Sequence, residues 1–240
     1  MAKKKKKGGD GGGLPGWFAT FSDMMTLLFA FFVLMFSLST IDPVKVAAFS
    51  EGKKGGDAKP DPTAKEKLDL AEIKDEFKKM IEDLGMDSTA TVSQDPRGIA
   101  LEIDGDICFE SSQVEIKPQL YSVLDRAIKD ILTAENDIRP IIVEGHTDSD
   151  QMRGKMAELY PTNWELSSGR AAEVVKYLIS KGVNSTRLSP TGYADRWPFG
   201  ITWTQKRSGD INQELIDAMN ATKDLKRKNR RIKIIIGPNY

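Results

Sequence analysis

Asp23 is the only charged residue in a long apolar stretch that covers residues 14–41. A stretch of this length can cross a bilayer, which takes about 20 residues. A carboxylate well inside such a segment costs roughly 2.5–3.5 kcal/mol on insertion scales, and it usually faces an ion path or a polar partner. We therefore predict a functional role for Asp23, on an ion path or against a polar partner. The plainer alternative is a signal anchor that tolerates one acid near its end.

The small and polar residues of this stretch share one face when it is drawn as a helix. At about 100° per residue, they fall within an arc of about 120°: Gly16, Ala19, Thr20, Asp23, Thr26, Ala30 and Ser37. The phenylalanines lie outside this arc, although Leu27 and Leu34 interrupt it. Small residues let another helix approach closely, and hydroxyls bond across the contact. We expect Asp23 to face protein or water and the phenylalanines to face lipid or neighbouring helices.

Composition excludes several classes of function. Acidic and basic residues balance at 35 each, so the basic excess typical of nucleic-acid binding is missing. The single Cys108 cannot form an internal disulfide and is predicted to be a buried thiol. The single His146 cannot supply the ligands of a zinc amidase, and we interpret it as a structural hydrogen-bond donor. No activated serine or cysteine is visible. We therefore expect no enzyme, no metal and no cofactor.

The chain before the apolar stretch carries a lysine run and then glycines, over residues 1–13. This composition predicts a disordered tail. The lysines place the tail in the cytoplasm by the positive-inside rule, so the chain after residue 41 lies outside. A cleavable signal peptide is the rival interpretation. The length of the apolar run and the presence of Asp23 argue against it.

Residues 42–62 are predicted to be a short amphipathic piece followed by a flexible linker rich in glycine, proline and charge. Residues 63–87 contain a helix over 63–84, which Gly85 ends. Its apolar stripe is narrow. The stripe could pair with a second copy of itself or pack on the domain that follows.

A folded domain is predicted over residues 88–240. Strands are expected at 89–93, 99–103, 140–145, 187–193 and 231–236, and helices at 118–132, 163–181 and 210–224. Alternation of strands and helices indicates an α/β (α+β) sandwich with helices on one face of a mixed sheet. The predicted fold is thus a single N-terminal transmembrane helix followed by this sandwich.

Four blocks in fixed order carry a family resemblance: Gly145-His146-Thr147-Asp148, the run from Asn163 to Ala171, Gly192-Tyr193, and Asn229-Arg230-Arg231. Together they resemble the OmpA-like peptidoglycan-binding domain. With the membrane segment Pro15-Gly16-Trp17 and Thr20-Phe21-Ser22-Asp23 before it, nearly the whole chain resembles the B subunit of the flagellar motor stator, of the MotB/PomB type.

This resemblance implies a role for several residues near the membrane. Asp23 matches the ion-carrying aspartate, and Thr20, Ser22 and Thr26 offer hydroxyl oxygens beside it. The amphipathic piece matches the plug that keeps unassembled stators from leaking, through Val44, Val46, Ala47 and Phe49. The Thr-Phe-Ser-Asp run favours sodium over a proton, but a proton stays open.

The resemblance also implies a peptidoglycan site. Asp148 and Arg170 match the pair that grips the diaminopimelate end of the stem peptide. A zwitterionic end requires a carboxylate for its ammonium and a guanidinium fork for its carboxylate. Four further residues are expected to complete the site: Thr147, Asn163, Leu166 and Arg230, with Arg231 as the alternative to Arg230. Taken alone, Asp148 could be only a cap for the following turn, and Arg170 only a surface helix residue.

The expected partners follow from the same family. They are a four-helix A subunit of the MotA/PomA type, a second copy of the chain, peptidoglycan, and the rotor through the A subunit. The expected location is the inner membrane, with the C-terminal domain in the periplasm. The alternative function is a structural peptidoglycan tether without ion transport. A relative of the ExbD/TolR proteins would share the helix and its aspartate, but the peptidoglycan motif argues against it.

Overall fold

The computed structural model describes residues 15–38, 68–132, 137–152 and 156–238 of the chain. Its contacts separate an N-terminal unit, which holds the apolar helix, from a larger unit that holds the folded domain. The predicted tail, the linker and the four predicted plug residues lie outside the described residues: Val44, Val46, Ala47 and Phe49.

Helix α1 runs over Gly16–Leu38, and its stretch Gly16–Phe36 is long and apolar enough to cross a membrane. Its 23 residues span about 35 Å at the usual rise per residue. Large apolar side chains along it are exposed, among them Trp17, Phe29 and Phe36. An apolar surface of this kind suits a lipid environment.

The folded domain is built on a five-stranded sheet in the order β1-β2-β5-β3-β4. Its strands are β1 Ala90–Asp95, β2 Gly98–Asp104, β3 Ile141–His146, β4 Leu188–Gly192 and β5 Arg231–Ile236. β3 and β4 pair in parallel, and the other neighbours pair antiparallel. The five predicted strands and the mixed sheet are confirmed.

Three long helices cover one face of this sheet: α2 Leu70–Asp83, α4 Pro118–Ala127, which continues as a π-helix over Ile128–Leu132, and α6 Asn163–Ser180. Short helices α3 Gly105–Cys108 and α5 Met156–Leu159 lie between them in the chain. Alternate strand residues such as Leu101, Val143 and Ile234 join the helices in the core. Successive side chains of a strand point to opposite faces of the sheet, so every second residue of these strands reaches the helices.

Helix α2 begins later than predicted, at Leu70 rather than at residue 63. Asp69 caps it: its carboxylate accepts a hydrogen bond from the Glu72 N–H, and the Glu72 side chain accepts one from the Asp69 N–H. This reciprocal arrangement is a capping box, which fixes a helix start. Ile73 and Phe77 are buried in the domain core, so the narrow stripe packs on the domain. Gly85, at φ +64°, ends the helix as predicted.

The predicted single helix over 210–224 is wrong. A short helix, α7 Trp203–Ser208, precedes this range, and within it the chain forms α8 Gln213–Ala218 and the first residues of α9 Lys223–Asn229. Asn212 caps α8 and Thr222 caps α9, each through a side-chain oxygen that accepts a backbone N–H. Asparagine and threonine favour caps because their side chains compete for nearby backbone groups. The two caps therefore divide the apolar periodicity that suggested one helix.

The opposite face of the sheet is polar. Glu144 and His146 on β3 and Lys233 on β5 point away from the core helices, yet all three are buried. Residues 193–208 lie over this face, since the ring of Trp197 meets the ring of His146 edge-on at 6.0 Å. The domain thus has an apolar core on one side of the sheet and a covered charged layer on the other.

Candidate functional site

A cavity of about 450 Å³ opens beyond the end of β3. Six residues predicted from the sequence line it together: Thr147, Asp148, Asn163, Leu166, Arg170 and Arg230. The structure therefore brings the predicted peptidoglycan residues into one site. Asp106, Phe109, Glu110 and Lys117 also line it and were not predicted.

The strand and helix that carry these residues pack unusually closely. A Cβ on Gly145 would lie 2.1 Å from the Ser167 carbonyl oxygen, so only glycine lets β3 and α6 approach this far. The turn after β3 is held by a hydrogen bond of 2.9 Å from the Thr147 N–H to the Ala194 carbonyl. This packing places Asp148, just past the strand, against the first turns of α6.

Asp148 is buried and makes contacts in two directions. Its Oδ2 accepts a hydrogen bond of 2.6 Å from Arg230 Nη1, and its Oδ1 accepts one of 3.2 Å from the Asp150 N–H. The amide of Asn163 donates to the Asp148 carbonyl at 3.0 Å. Asp148 therefore does cap the following turn, and it also presents a carboxylate to the cavity.

Arg230 bridges two carboxylates. Its Nε and Nη2 donate to the two oxygens of Asp106 at 2.8 Å each, while Nη1 reaches Asp148. The hydrogen bond from Arg230 lowers the pKa of Asp106, and the Asp106 carboxylate raises the pKa of Arg230. A bidentate pair of this kind fixes the plane of the guanidinium. Asp106 was missed because an acid after a strand gives no sequence signal of the partner it meets.

Arg170 is held differently. Its Nε donates to the Gln113 carbonyl at 2.8 Å and its Nη2 to the Glu110 carbonyl at 3.2 Å, and its guanidinium lies 4.9 Å from the ring centre of Phe109. Among the described residues, no carboxylate lies within 4.0 Å of it. Burial lowers the pKa of Arg170 to about 10, so it remains a cation at neutral pH. The site thus contains a fixed guanidinium whose charge is not neutralised by direct contact.

Besides the Arg170 guanidinium, the hydroxyl of Thr147 is available to a ligand. Its Oγ1 is buried and has no hydrogen-bond partner among the described residues. A hydroxyl both donates and accepts, so Thr147 suits a polar ligand atom in the cavity. Arg231, the alternative to Arg230, points to the other face of the sheet and pairs with Glu102 at 3.1 Å. The structure therefore assigns the cavity to Arg230.

His146 differs from the structural donor that the sequence suggested. It is buried, and neither ring nitrogen has a hydrogen-bond partner in the described part of the chain. Its ring stacks on Tyr193 at 5.4 Å. Burial and the nearby charge of Arg231 lower its pKa to about 3, so the imidazole is neutral. No group of three or more potential metal ligands occurs among the described residues.

The predicted ion-carrying residues lie on α1. Thr20 and Thr26 lie one turn before and after Asp23, and their hydroxyls donate to the Trp17 and Ser22 carbonyls at 2.8 and 2.7 Å. Ser22 is adjacent in sequence to Asp23. A hydroxyl that donates its hydrogen to the helix keeps its lone pairs for another group. Asp23 is thus flanked by oxygens that can accept or coordinate.

Two family models match the chain in series. The model described as membrane MotB of the proton-channel complex MotA/MotB matches residues 2–52, and the OmpA family model matches residues 108–213. The crystal structure of a MotB-like protein from Desulfovibrio vulgaris superposes with a TM-score of 0.52 at 20% identity, over 71% of this chain and 94% of that one. This likeness shows the fold of the domain.

Two curated relatives align over most of their length. The uncharacterized protein YtxE of Bacillus subtilis (strain 168) is 32% identical over 92% of this chain and 87% of that protein. Motility protein B of the same organism is 26% identical over 98% of this chain and 95% of that protein. The two family models in series and these alignments show that the chain belongs to the MotB family, as a MotB-type protein with a C-terminal OmpA-like domain.

Proposed function

We propose that this chain is the ion-conducting, wall-anchored B subunit of a flagellar motor stator, in which ion flow through Asp23 drives rotation. Membership of the MotB family supports the stator role and partnership with a MotA-type subunit. The matched families are structural or motor components, and the chain is not an enzyme. The inner membrane, with the OmpA-like domain in the periplasm, is the location that fits this role.

The observation that carries the proposal is the position of Asp23. It is the only charged residue of α1, and it lies on the face that holds Thr20 and Thr26. A charged side chain in a membrane helix is expensive and usually marks an ion path. Moving one charge through the membrane releases about 2.3 kcal/mol per 100 mV. Neutralisation of Asp23 by the ion changes the charge at a contact of low dielectric, which biases the A subunits between two arrangements.

Sodium is the ion that we propose. Hard cations take several oxygen ligands. Thr20 and Thr26 supply hydroxyl oxygens on the face of Asp23 and already direct their hydrogens into the helix, and Ser22 adds a hydroxyl next to Asp23 in the chain. A proton needs only the carboxylate. The matching family model is described with a proton channel, so the proton is the outcome against which sodium is tested.

The domain supplies the anchor. Its cavity combines the Asp148 carboxylate with the fixed guanidinium of Arg170 and the buried hydroxyl of Thr147. This set suits a zwitterionic amino-acid end, whose ammonium requires a carboxylate and whose carboxylate requires a guanidinium. We propose that the ligand is the diaminopimelate end of peptidoglycan. Two copies of the chain, held to the wall, would form the fixed axle about which the A subunits turn.

Swimming speed tests the proposal in a strain that lacks its own B subunit and co-expresses the A subunit. Sodium is varied at constant membrane potential for the natural chain, Asp23→Asn, Thr26→Val and Thr26→Ser. We expect speed to rise with sodium and to vanish in Asp23→Asn. Thr26→Val should require more sodium for the same speed, because it removes an oxygen at constant shape. Thr26→Ser, which keeps that oxygen, is the matched control.

Other outcomes separate the alternatives. Speed that ignores sodium but still requires Asp23 would identify a proton motor. Full motility of Asp23→Asn, at an equal level of chain in the membrane, would reject the ion-carrier role and leave a structural peptidoglycan tether.

A further inference from the structure

A second cavity, here called the rear cavity, lies on the polar face of the sheet and is distinct from the peptidoglycan site. Its volume is about 410 Å³, within the range of about 300–1,000 Å³ usual for small-molecule sites. Residues that line it and carry the argument are Glu144, Trp197, Thr202, Trp203, Thr204 and Lys233. None of the sequence motifs pointed to this cavity.

Three cation–carboxylate contacts surround the rear cavity: Arg97 Nη1 with Glu144 Oε1 at 2.5 Å, Lys233 Nζ with Asp95 Oδ2 at 2.8 Å, and Arg231 Nε with Glu102 Oε2 at 3.1 Å. The ammonium of Lys206 lies against aromatic rings instead. A charged ligand would have to break one of these buried pairs, which leaves an uncompensated charge. The cavity therefore suits a neutral ligand.

One acceptor in this layer remains without a donor. Glu144 is fully buried, and its Oε2 has no hydrogen-bond partner among the described residues. His146 Nε2 lies 3.6 Å away, which is too far for a hydrogen bond. A buried carboxylate oxygen gains from any O–H or N–H that reaches it. The ligand should therefore carry such donors.

Aromatic rings form one wall of the cavity. The rings of Trp197 and Trp203 lie 5.5 Å apart, tilted by 44°. Helix α7, which carries Trp203, is also tied down by Lys206, whose ammonium lies 3.8 Å from the ring centre of Tyr193 and 4.0 Å from that of Trp197. A wall fixed in this way loses little freedom when a ligand packs on it. An aromatic surface beside hydrogen-bonding groups is the usual lining of a small-molecule site.

We propose that the rear cavity binds a neutral sugar residue. One face of the sugar ring packs on the Trp203 side chain, and a hydroxyl or amide group of the sugar donates a hydrogen bond to Glu144 Oε2. An uncharged ring with many donors leaves the three ion pairs intact, packs on the aromatic wall and supplies a donor to the unpartnered acceptor. Thr202 and Thr204 line the same cavity and add hydroxyl partners.

The test measures binding of N-acetylglucosamine and of its β-1,4 tetramer to the full chain in detergent by saturation-transfer NMR and calorimetry. We expect saturable binding of at least one of them. Equal affinity per site for both indicates a free sugar as the ligand, and a clear preference for the tetramer indicates a polymer chain.

Two variants place the ligand. Trp203→Leu removes the aromatic wall, and Thr204→Trp fills the mouth of the cavity from an exposed position. Each should weaken binding at least about tenfold. Trp164→Leu, at an exposed tryptophan on α6, and Asp148→Asn, in the peptidoglycan site, should leave sugar affinity unchanged. Circular dichroism confirms that each variant is folded.

Two results would overturn the proposal. The first is the absence of saturable binding by the natural chain. The second is binding that survives in both folded rear-cavity variants or that disappears in Asp148→Asn, since either would place the sugar elsewhere.

Discussion

The Asp148 carboxylate lies 2.6 Å from Nη1 of Arg230, a residue 82 positions further along the chain. Arg230 in turn is held by both oxygens of Asp106. Arg170, across the same cavity, has only backbone carbonyls as described hydrogen-bond acceptors. The two guanidinium groups therefore have different tasks: Arg230 orients the Asp148 carboxylate, and Arg170 is available to a ligand carboxylate.

These contacts predict that Asp106 affects ligand affinity indirectly, because it holds Arg230, which orients the Asp148 carboxylate. Asp106→Asn removes one partner of a bidentate pair, so the guanidinium loses its fixed plane and Asp148 loses its orientation. We expect peptidoglycan affinity to fall about tenfold, equivalent to about 1.4 kcal/mol. Co-sedimentation of the full chain with purified peptidoglycan measures the change.

Asp87→Asn, at an exposed aspartate that does not line the cavity, is the matched control and should bind like the natural chain. Asp148→Asn should lose more affinity than Asp106→Asn, because it removes the contact itself. Unchanged peptidoglycan affinity of Asp106→Asn would show that Arg230 orients Asp148 without the bidentate contact to Asp106.

Arg170 should not tolerate replacement by lysine. Its fork reaches the Gln113 and Glu110 carbonyls while it presents charge to the cavity. A lysine has one ammonium and cannot reproduce this fixed planar arrangement. We expect Arg170→Lys to bind peptidoglycan at least about tenfold more weakly, with a normal circular dichroism spectrum. Arg196→Lys, at an exposed arginine, provides the comparison. Equal affinity of Arg170→Lys and the natural chain would contradict a role for the fork.

His146 should stay neutral at pH values well below the ordinary pKa of a histidine. Burial lowers its folded-state pKa to about 3, against about 6.5 in an unfolded chain. Between these values the unfolded chain binds a proton that the folded chain does not. The free energy of unfolding therefore falls as pH decreases from about 6.5, by up to about 1.4 kcal/mol per pH unit from this group.

The single histidine makes the check direct. Its NMR signal should not move between pH 7.5 and pH 5, and a titration near pH 6.5 would refute the prediction. In thermal unfolding, His146→Phe should show a smaller loss of stability over the same pH range, because it cannot take up the proton.

The thiol of Cys108 should be unreactive toward thiol reagents in the folded chain. It is fully buried, and burial raises the pKa of its thiol well above the ordinary value. The thiolate is the reactive form. We expect no labelling by an aromatic disulfide reagent until denaturant is added. A chain with Cys108→Ala and Ser88→Cys, which places the thiol at an exposed position, should label at once. Rapid labelling of the folded natural chain would show that the core opens.

The strands and long helices were predictable because their signals are local. Alternation predicted the strands β1 and β2, and glycine predicted the end of α2 at Gly85. The start of α8 at Asn212 and the break between α8 and α9 at Thr222 were missed because these residues act as caps only when the backbone turns there. The start of α2 at Leu70 has the same cause, since Asp69 acts as a cap only when the backbone turns there.

The site was predictable only where its residues match a family motif. Asp148 and Arg170 were found in this way. Asp106 was not, because its role depends on contact with Arg230, which lies 124 positions away in the chain. The charged layer around Glu144 was missed for a related reason, since each of its ion pairs joins separate strands or loops.

Strand β5 lies between β2 and β3, although its residues come after those of every other strand. During synthesis, the β1–β2 hairpin and the parallel pair β3–β4 appear first, each with an open edge toward the place that β5 fills. Unpaired edges attract other chains. The sheet can therefore be completed only after residues 231–236 have been synthesised and translocated. A truncation that removes this strand therefore takes away the pairing partner of both β2 and β3 rather than trimming one edge of the sheet.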